Sequence, residues 1–266
     1  MNAREIWIRV LAALVGGPII LFMVYRSPAA FVLILNVIIG FSVWEFYSLT
    51  ETQGNAPHKI SGTVITLFFT WFLGIFQGRF VLPALAVFVL FILLEALFRK
   101  KLSNIANIAI TLFGFLYISL FNAFIFLRIL PEGRWIVICL FISIWICDAT
   151  AYFFGSRFGR HLLFKRVSPA KTWEGGIAGL VGALITALLL FPRIEGYSWI
   201  DGLVIGLIIS IAGPMSDLVE SLFKREAGIK DSSSLIPGHG GMLDRFDSPL
   251  FIGPLVLFYI LLSHSF

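Results

Sequence analysis

Apolar residues run along the chain in long, uninterrupted stretches that are separated by short polar segments. A membrane-spanning helix needs about 20 consecutive apolar residues, and a spanning strand would alternate instead. Nine stretches satisfy the helix criterion, at residues 6–25, 28–49, 60–77, 79–98, 105–128, 135–155, 174–192, 198–220 and 249–263. The pattern therefore predicts an all-α, polytopic transmembrane protein.

Composition excludes other classes of protein. Hydrophobic residues fill 59% of the 266 positions and charged residues only 13%, so the nine spans leave no room for a separate soluble domain. The net charge of +5 fits basic loops at a membrane surface, and no nucleic-acid partner is expected. Cys139 and Cys147 lie in one apolar stretch without a CxxC spacing, so we interpret both as packing residues.

Lysine and arginine are distributed unevenly between the two sides that nine spans define. The side with the N-terminus holds 15 of the 20 basic residues, which predicts a cytoplasmic N-terminus and an outside C-terminus. The two longest polar loops, 155–173 and 224–247, would then face the cytoplasm. The expected location is the cytoplasmic (inner) membrane, with several passes and the polar site on the cytoplasmic side.

Acidic residues divide the chain into two parts. All six aspartates lie between residues 148 and 266, and the first 147 residues contain none. We therefore expect 1–130 to be a transmembrane scaffold and 131–266 to be the catalytic transmembrane region. Glu45 and Glu95 occur late in their scaffold spans, where they are expected near the membrane interfaces.

Asp148 and Asp217 lie inside apolar segments, where an ionisable group costs several kcal/mol unless it is partnered or hydrated. Both fall in the cytoplasmic half of their spans, at a depth where a polar cavity could open inward. The alternative is that they are interfacial carboxylates paired with loop lysines. Gly213-Pro214 is expected to break the helix just before Asp217, because proline lacks a backbone donor.

The two cytoplasmic loops combine cations, glycines and carboxylates. Lysine and arginine with closely spaced glycines suit phosphate groups, because bare backbone N–H groups can approach oxyanions. Carboxylates nearby suit Mg²⁺, which bridges phosphates. Asp244 and Asp247 would share a face if their stretch is helical. Together these features predict a polyphosphate-handling site, although no Walker, Rossmann or HExxH motif is present.

The C-terminal half resembles the phosphatidate cytidylyltransferase (CDP-diacylglycerol synthase) family over residues 148–247. The 27 positions from Ser221 to Asp247 carry the family motif, which reads Ser221-x-x-Lys224-Arg225-x4-Lys230-Asp231-x-Ser233-x2-Ile236-Pro237-Gly238-His239-Gly240-Gly241-Met242-x-Asp244-Arg245-Phe246-Asp247. A second similar stretch runs from Asp148 to Gly155 and continues as Ser168-Pro169-x-Lys171-Thr172-Trp173-Glu174-Gly175. Ala170 departs from the family pattern, which often has a second lysine there.

The resemblance implies that CTP and phosphatidate react in the bilayer to give CDP-diacylglycerol and pyrophosphate, with Mg²⁺ required. The lipid phosphate would attack the α-phosphorus of CTP in line, assisted by metal. Expected metal ligands are Asp148, Asp217 and Asp244, and expected catalytic residues are Asp217, Asp244, Lys171 and Lys230. Expected substrate-binding residues are Ser168, Thr172, Lys224, Arg225, Asp231, Gly238, His239, Gly240, Gly241 and Arg245. The resemblance leaves open whether a second cation is bound, and it suggests a homodimer.

Two other functions fit parts of the sequence. An ion-coupled transporter could use Asp148 and Asp217 as coupling residues, but transporters tend to have broken helices in two repeats, and here the polar features occupy one half. A CDP-alcohol phosphotransferase motif begins Asp-Gly-x-x-Ala-Arg, and the stretch at Asp201-Gly202 lacks the Ala-Arg. That motif would also lie at the outer membrane face.

Overall fold

The computed structural model describes residues 3–99, 104–233 and 240–264. Helices occupy most of this part of the chain. They are α1 (Ala3–Arg26), α2 (Pro28–Glu51), α3 (Lys59–Phe76), α4 (Val81–Phe98), α5 (Ile105–Ser119), α6 (Ala123–Ile129), α7 (Gly133–Phe158), α8 (Trp173–Leu190), α9 (Trp199–Glu226) and α10 (Leu243–Ser263). Short 3₁₀ turns at Leu120–Asn122 and Phe191–Arg193 follow α5 and α8. Two short strands, β1 (Leu162–Phe164) and β2 (Ser168–Thr172), pair antiparallel between α7 and α8.

Eight helical segments in the described part of the chain are long and apolar enough to cross a membrane, with α5 and α6 forming one continuous segment. The apolar stretch Val15–Arg26 of α1 precedes them. Each predicted span coincides with one of these segments. The prediction of an all-α, polytopic membrane protein is confirmed.

The chain divides into two compact units. The first consists of Met1–Phe126 with Glu226–Phe246, and the second consists of Leu127–Arg225 with Asp247–Phe266. The two loops that are predicted to face the cytoplasm therefore fall in different units. The strand pair belongs to the second unit, and the segment between α9 and α10 belongs to the first.

In the first unit, α2 packs against α3 and α5 around a buried tyrosine. The Tyr47 hydroxyl donates to the Thr111 carbonyl of α5 at 2.8 Å. Glycines face this ring from both sides, because a Cβ atom on Gly62 of α3 or Gly114 of α5 would overlap the Tyr47 side chain. Small residues therefore let three helices close on one large side chain.

In the second unit, α7 and α8 make the most extensive helix pair. Gly179 and Gly182 of α8 face α7, where added Cβ atoms would press on Cys147 and Thr150. Close approach of backbones through small residues is the usual way in which membrane helices pack. Cys139 and Cys147 are buried free thiols, in agreement with their predicted packing role.

The expected break before Asp217 is wrong. Helix α9 continues without interruption from Trp199 to Glu226, with Pro214 inside it. A proline removes one donor from the helix ladder, and surrounding helices can compensate for this loss within a membrane protein. Asp217 therefore lies in the body of a long helix rather than in the first turn of a new one.

The start of α10 also differs from the prediction. It begins at Leu243, so Asp247 belongs to the helix and not to the preceding loop. Phe246 has non-helical backbone angles (φ −120°, ψ 18°) and kinks the helix between Asp244 and Asp247. The condition for these two carboxylates to share one helical face is therefore not met.

Candidate active site

Three carboxylates converge in the second unit. Oxygen atoms of Asp217, Glu220 and Asp247 all lie within 4.8 Å of one another. Asp217 and Glu220 are three residues apart on α9 and so share a face, while Asp247 reaches them from α10. Glu220 and Asp247 are buried, and Asp217 is half-buried. We call these three residues the acidic cluster.

Serine hydroxyls and a backbone amide hold two members of the acidic cluster in place. The Ser216 hydroxyl donates to the carbonyl of Asp247 at 2.6 Å, which joins α9 to α10. The backbone N–H of Ser248 donates to Asp247 Oδ1 at 2.7 Å. One turn along α9, the Ser221 hydroxyl donates to Asp217 Oδ1 at 3.2 Å. These bonds orient the carboxylates without neutralising them.

Two lysines form ion pairs with the acidic cluster. Lys171 Nζ lies 2.6 Å from Asp217 Oδ2 and also donates to the Pro214 carbonyl at 3.0 Å. Lys224 Nζ lies 2.7 Å from Glu220 Oε2 on the same helix. Three carboxylates and two ammonium groups thus meet in one place, and the carboxylate oxygens are ligands that suit a divalent cation.

The strand pair delivers Lys171 to α9. Lys171 lies in β2, the strand that runs directly into α8. The end of β2 is fixed to the start of β1, because the Trp173 backbone N–H donates to the His161 carbonyl at 2.9 Å. His161 Nδ1 also lies 2.6 Å from Glu174 Oε1. Lys171 is therefore presented from a tied hairpin rather than from an open loop.

Glycines let the end of α7 approach the start of α8. Thr172 caps α8 by accepting a hydrogen bond from the Gly175 backbone N–H at 3.2 Å. A Cβ atom on Gly159 would overlap the Gly155 carbonyl and the Thr172 side chain, and one on Gly175 would lie 2.8 Å from the Ala151 carbonyl. The glycines of this motif thus serve close backbone packing around Thr172.

Asp148 of α7 lies within electrostatic range of Asp217 and Lys171. Asp148 lies in the membrane-spanning part of α7, ten residues before the end of that helix. The structure therefore brings together four of the residues expected in the site, namely Asp148, Lys171, Asp217 and Lys224. A metal-binding role for Asp148 stays a prediction.

In the first unit, Asp244 organises the motif segment before α10. Its Oδ2 accepts hydrogen bonds from the Ser232 backbone N–H at 2.9 Å, the Ser232 hydroxyl at 3.1 Å and the Gly241 backbone N–H at 2.7 Å. Gly240 has a positive φ of 81°, and a Cβ atom there would press on Asp244 Oδ2. Asp244 therefore holds its own loop, and its predicted role as a metal ligand stays a prediction.

The other expected substrate-binding residues occupy varied positions. Ser168 is half-buried at the start of β2, and Arg225 Nε donates to the Val167 carbonyl at 3.2 Å. The side chains of Lys230, Asp231 and Arg245, which belong to the first unit, are exposed. Gly238 and His239 lie outside the described residues. The roles of all these residues in substrate binding stay predictions.

Sequence reasoning assigned no role to Glu220 and Asp247, which complete the acidic cluster. The signal for Glu220 was its spacing of three from Asp217 on a predicted helix. The three-residue spacing predicts that Asp247 shares a face with Asp244, and the structure places it with Asp217 and Glu220 instead. Carboxylates buried in apolar helices mark a functional site in a membrane protein, and here they define the candidate site of a polytopic membrane protein.

Comparison with known proteins agrees with this class and makes it specific. The model of the Cytidylyltransferase family matches residues 7–263. A phosphatidate cytidylyltransferase of Synechocystis sp. is 30% identical over 96% of each chain, and one of Staphylococcus aureus is 31% identical over 94% of this chain and 96% of its own. One from Staphylococcus saprophyticus is 44% identical over 47% of this chain and 48% of its own.

The chain belongs to the Cytidylyltransferase family and is a membrane nucleotidyltransferase. The family membership that the motifs predicted is confirmed. A nucleotidyltransferase function is therefore favoured over the alternative of an ion-coupled transporter.

Proposed function

We propose that this protein transfers the cytidylyl group of CTP to phosphatidate, forming CDP-diacylglycerol and pyrophosphate for phospholipid biosynthesis. The observation that carries the proposal is the acidic cluster with its two paired lysines, within a chain that belongs to the Cytidylyltransferase family. The relatives named phosphatidate cytidylyltransferase that match 94–96% of this chain support the choice of substrates.

The acidic cluster fits a divalent cation. Its three carboxylates, from Asp217, Glu220 and Asp247, supply the oxygen ligands that Mg²⁺ prefers, and their surplus negative charge favours a cation. When bound, Mg²⁺ would neutralise the phosphate oxygens of the reactants and the leaving pyrophosphate. Asp148 and Asp244 remain candidate ligands for this or a second cation.

The protein must bring two anions together. An oxygen of the phosphatidate phosphate attacks the α-phosphorus of CTP. The bond between that phosphorus and the oxygen that bridges it to the β-phosphate breaks, and pyrophosphate leaves with that oxygen. Lys171 and Lys224 supply positive charge beside the acidic cluster, and we propose that Arg225, Lys230 and Arg245 bind further phosphate oxygens. Because the attacking phosphate is already ionised, the reaction needs no strong general base.

Pyrophosphate release from purified protein in detergent tests this function. We expect release that requires CTP, phosphatidate and Mg²⁺ together, since the lipid phosphate is the nucleophile. Diacylglycerol in place of phosphatidate is the matched control, because it lacks the attacking phosphate, and it should give no product. Pyrophosphate release from CTP without any lipid, or none with both substrates, would contradict the proposal.

We also propose that the strand pair and the segment before α10 face the cytoplasm, where CTP is available. Cysteines at Ser156 and Glu226, both exposed, should then react with an impermeant maleimide only after the inner side is opened. A cysteine at Glu195, exposed between α8 and α9, should react in intact cells. Ser232 is unsuitable because it is buried.

The native thiols should not obscure this labelling, because Cys139 and Cys147 are both buried. Reaction at residue 156 or 226 in intact cells would reverse the proposed orientation. The homodimer suggested by the family resemblance is likewise a proposal, which cross-linking in the native membrane would address.

A further inference from the structure

Glu45 of α2 is a buried carboxylate with an unusual set of partners. Its side chain is 3% exposed and accepts four hydrogen bonds. Oε1 accepts from the Ser233 hydroxyl at 2.6 Å and from the Met242 backbone N–H at 2.9 Å. Oε2 accepts from the Ser232 hydroxyl at 2.9 Å and from the Leu243 backbone N–H at 2.8 Å. All of these residues belong to the first unit.

Two backbone N–H groups and two hydroxyls surround this one side chain, an arrangement that suits a carboxylate because it accepts at both oxygens. Burial of a charge is costly unless such bonds compensate it. Leu243 is the first residue of α10, so Glu45 also satisfies backbone N–H groups at a helix N-terminus, where a negative charge is favourable. The charge of Glu45 is thus matched to this position.

The partners of Glu45 come from two stretches inside the family motif, residues 232–233 and 242–243, which we call the motif flanks. Ser232 and Ser233 follow Lys230, and Met242 and Leu243 precede Asp244, so one carboxylate joins two stretches that the sequence separates. The same Ser232 hydroxyl lies 3.1 Å from Asp244 Oδ2, so the two acids share its one hydrogen.

Gly241 completes this arrangement by having no side chain. A Cβ atom at that position would overlap the Ser232 hydroxyl and the Glu45 carboxylate. The motif glycine is therefore needed to let the carboxylate of α2 reach the backbone of the motif.

We propose that Glu45 is a positioning residue for cytidylyl transfer, which fixes the motif flanks and thereby the proposed phosphate-binding side chains of Lys230 and Arg245. This inference rests on the proposed function. It assigns a role in the reaction to the N-terminal helices, which otherwise supply only a scaffold.

Glu45→Gln tests the proposal with almost no change in shape. The amide places an NH₂ group against two hydrogen-bond donors, so one flank of the motif must move. A displacement of about 1 Å can cost about 10²-fold in rate, and we expect kcat to fall at least about tenfold, by a larger factor than KM for CTP rises. Glu51→Gln is the matched control on α2, since Glu51 is exposed and pairs with Lys59 at 2.8 Å.

A purely structural role would give a different result. Glu45→Gln would then lower the melting temperature and the yield of folded protein, while kcat per folded molecule and KM for CTP stayed at wild-type values. That outcome would overturn the proposal. If the wild-type protein itself forms no product, the proposed function fails instead, so the two failures are distinguishable.

A double-mutant cycle gives an independent measurement. Ser233→Ala removes one donor to Glu45, so it should lower kcat alone and have little further effect in the Glu45→Gln background. If Glu45→Gln does not yield folded protein, the Ser232→Ala/Ser233→Ala variant removes both hydroxyl donors and retains the acid. Wild-type kcat in that variant would likewise overturn the proposal.

Discussion

Asp217→Asn is expected to lower kcat by about 10³-fold, because one preorganised electrostatic contact at the reacting centre is worth about 10²–10³-fold and Asp217 takes part in two. It belongs to the acidic cluster, and it holds Lys171 at 2.6 Å. Asparagine keeps the size of the side chain but loses the charge that favours a cation. Pyrophosphate release measured against Mg²⁺ concentration should show partial rescue at most.

Asp201→Asn is the matched control, since Asp201 is a buried carboxylate on the same helix. It accepts hydrogen bonds from Ser198 at 2.7 Å, Tyr259 at 2.8 Å and His264 at 2.9 Å, which join the start of α9 to the end of α10. We expect a lower melting temperature and wild-type kcat for the folded protein. Wild-type kcat in Asp217→Asn, or equal inactivation by both variants, would remove the acidic cluster from the mechanism.

The membrane architecture could be predicted from the sequence because it depends on one local property. A continuous apolar run must be a helix in the bilayer, since every backbone polar group needs a partner within its own segment. The predicted span 28–49 corresponds to α2 and the span 105–128 to the α5–α6 segment. The predicted start of α10, at residue 249, is wrong. A hydropathy pattern leaves out charged residues, and the first turn of this helix, Leu243–Asp247, contains several of them.

The site was predictable only in part, because its completion depends on contacts between distant residues. Asp148, Lys171 and Asp217 stood out as polar residues beside apolar segments, and the structure brings them together. No role was predicted for Glu220, and Glu45 was expected only near a membrane interface, because tertiary packing sets the contacts of both residues. Glu45 meets Leu243 across 198 positions of sequence, a distance over which no local pattern carries information.

Pro214 shows that a local propensity can also predict a helix break that the folded protein does not have. Pro214 is a helix breaker by its chemistry, yet α9 continues through it. The Pro214 carbonyl accepts a hydrogen bond from Lys171, so this turn contributes to the placement of the lysine instead of ending the helix. Local propensity was overridden by the surrounding helices and by a side chain 43 positions away.

Lys171→Met is expected to lower kcat by about 10²-fold, the scale of a lost electrostatic contact to a developing charge. The ammonium group now neutralises Asp217 and is tied to the Pro214 carbonyl, so its loss adds one uncompensated negative charge to the cluster. Two anionic substrates would then meet a more negative site. The kcat should fall more than KM for CTP rises, because the charge is needed most when pyrophosphate departs.

Lys165→Met is the control for this change, since Lys165 lies on the same hairpin, between β1 and β2, and is exposed. An exposed cation that makes no close contact with the acidic cluster contributes little at physiological salt, so its kcat should stay at the wild-type value. Lys171→Arg should recover part of the loss, because it restores the charge but not the compact ammonium geometry. Wild-type turnover in Lys171→Met would show that the ion pair with Asp217 only stabilises the hairpin, and the phosphate contacts would then have to come from other cations of the chain.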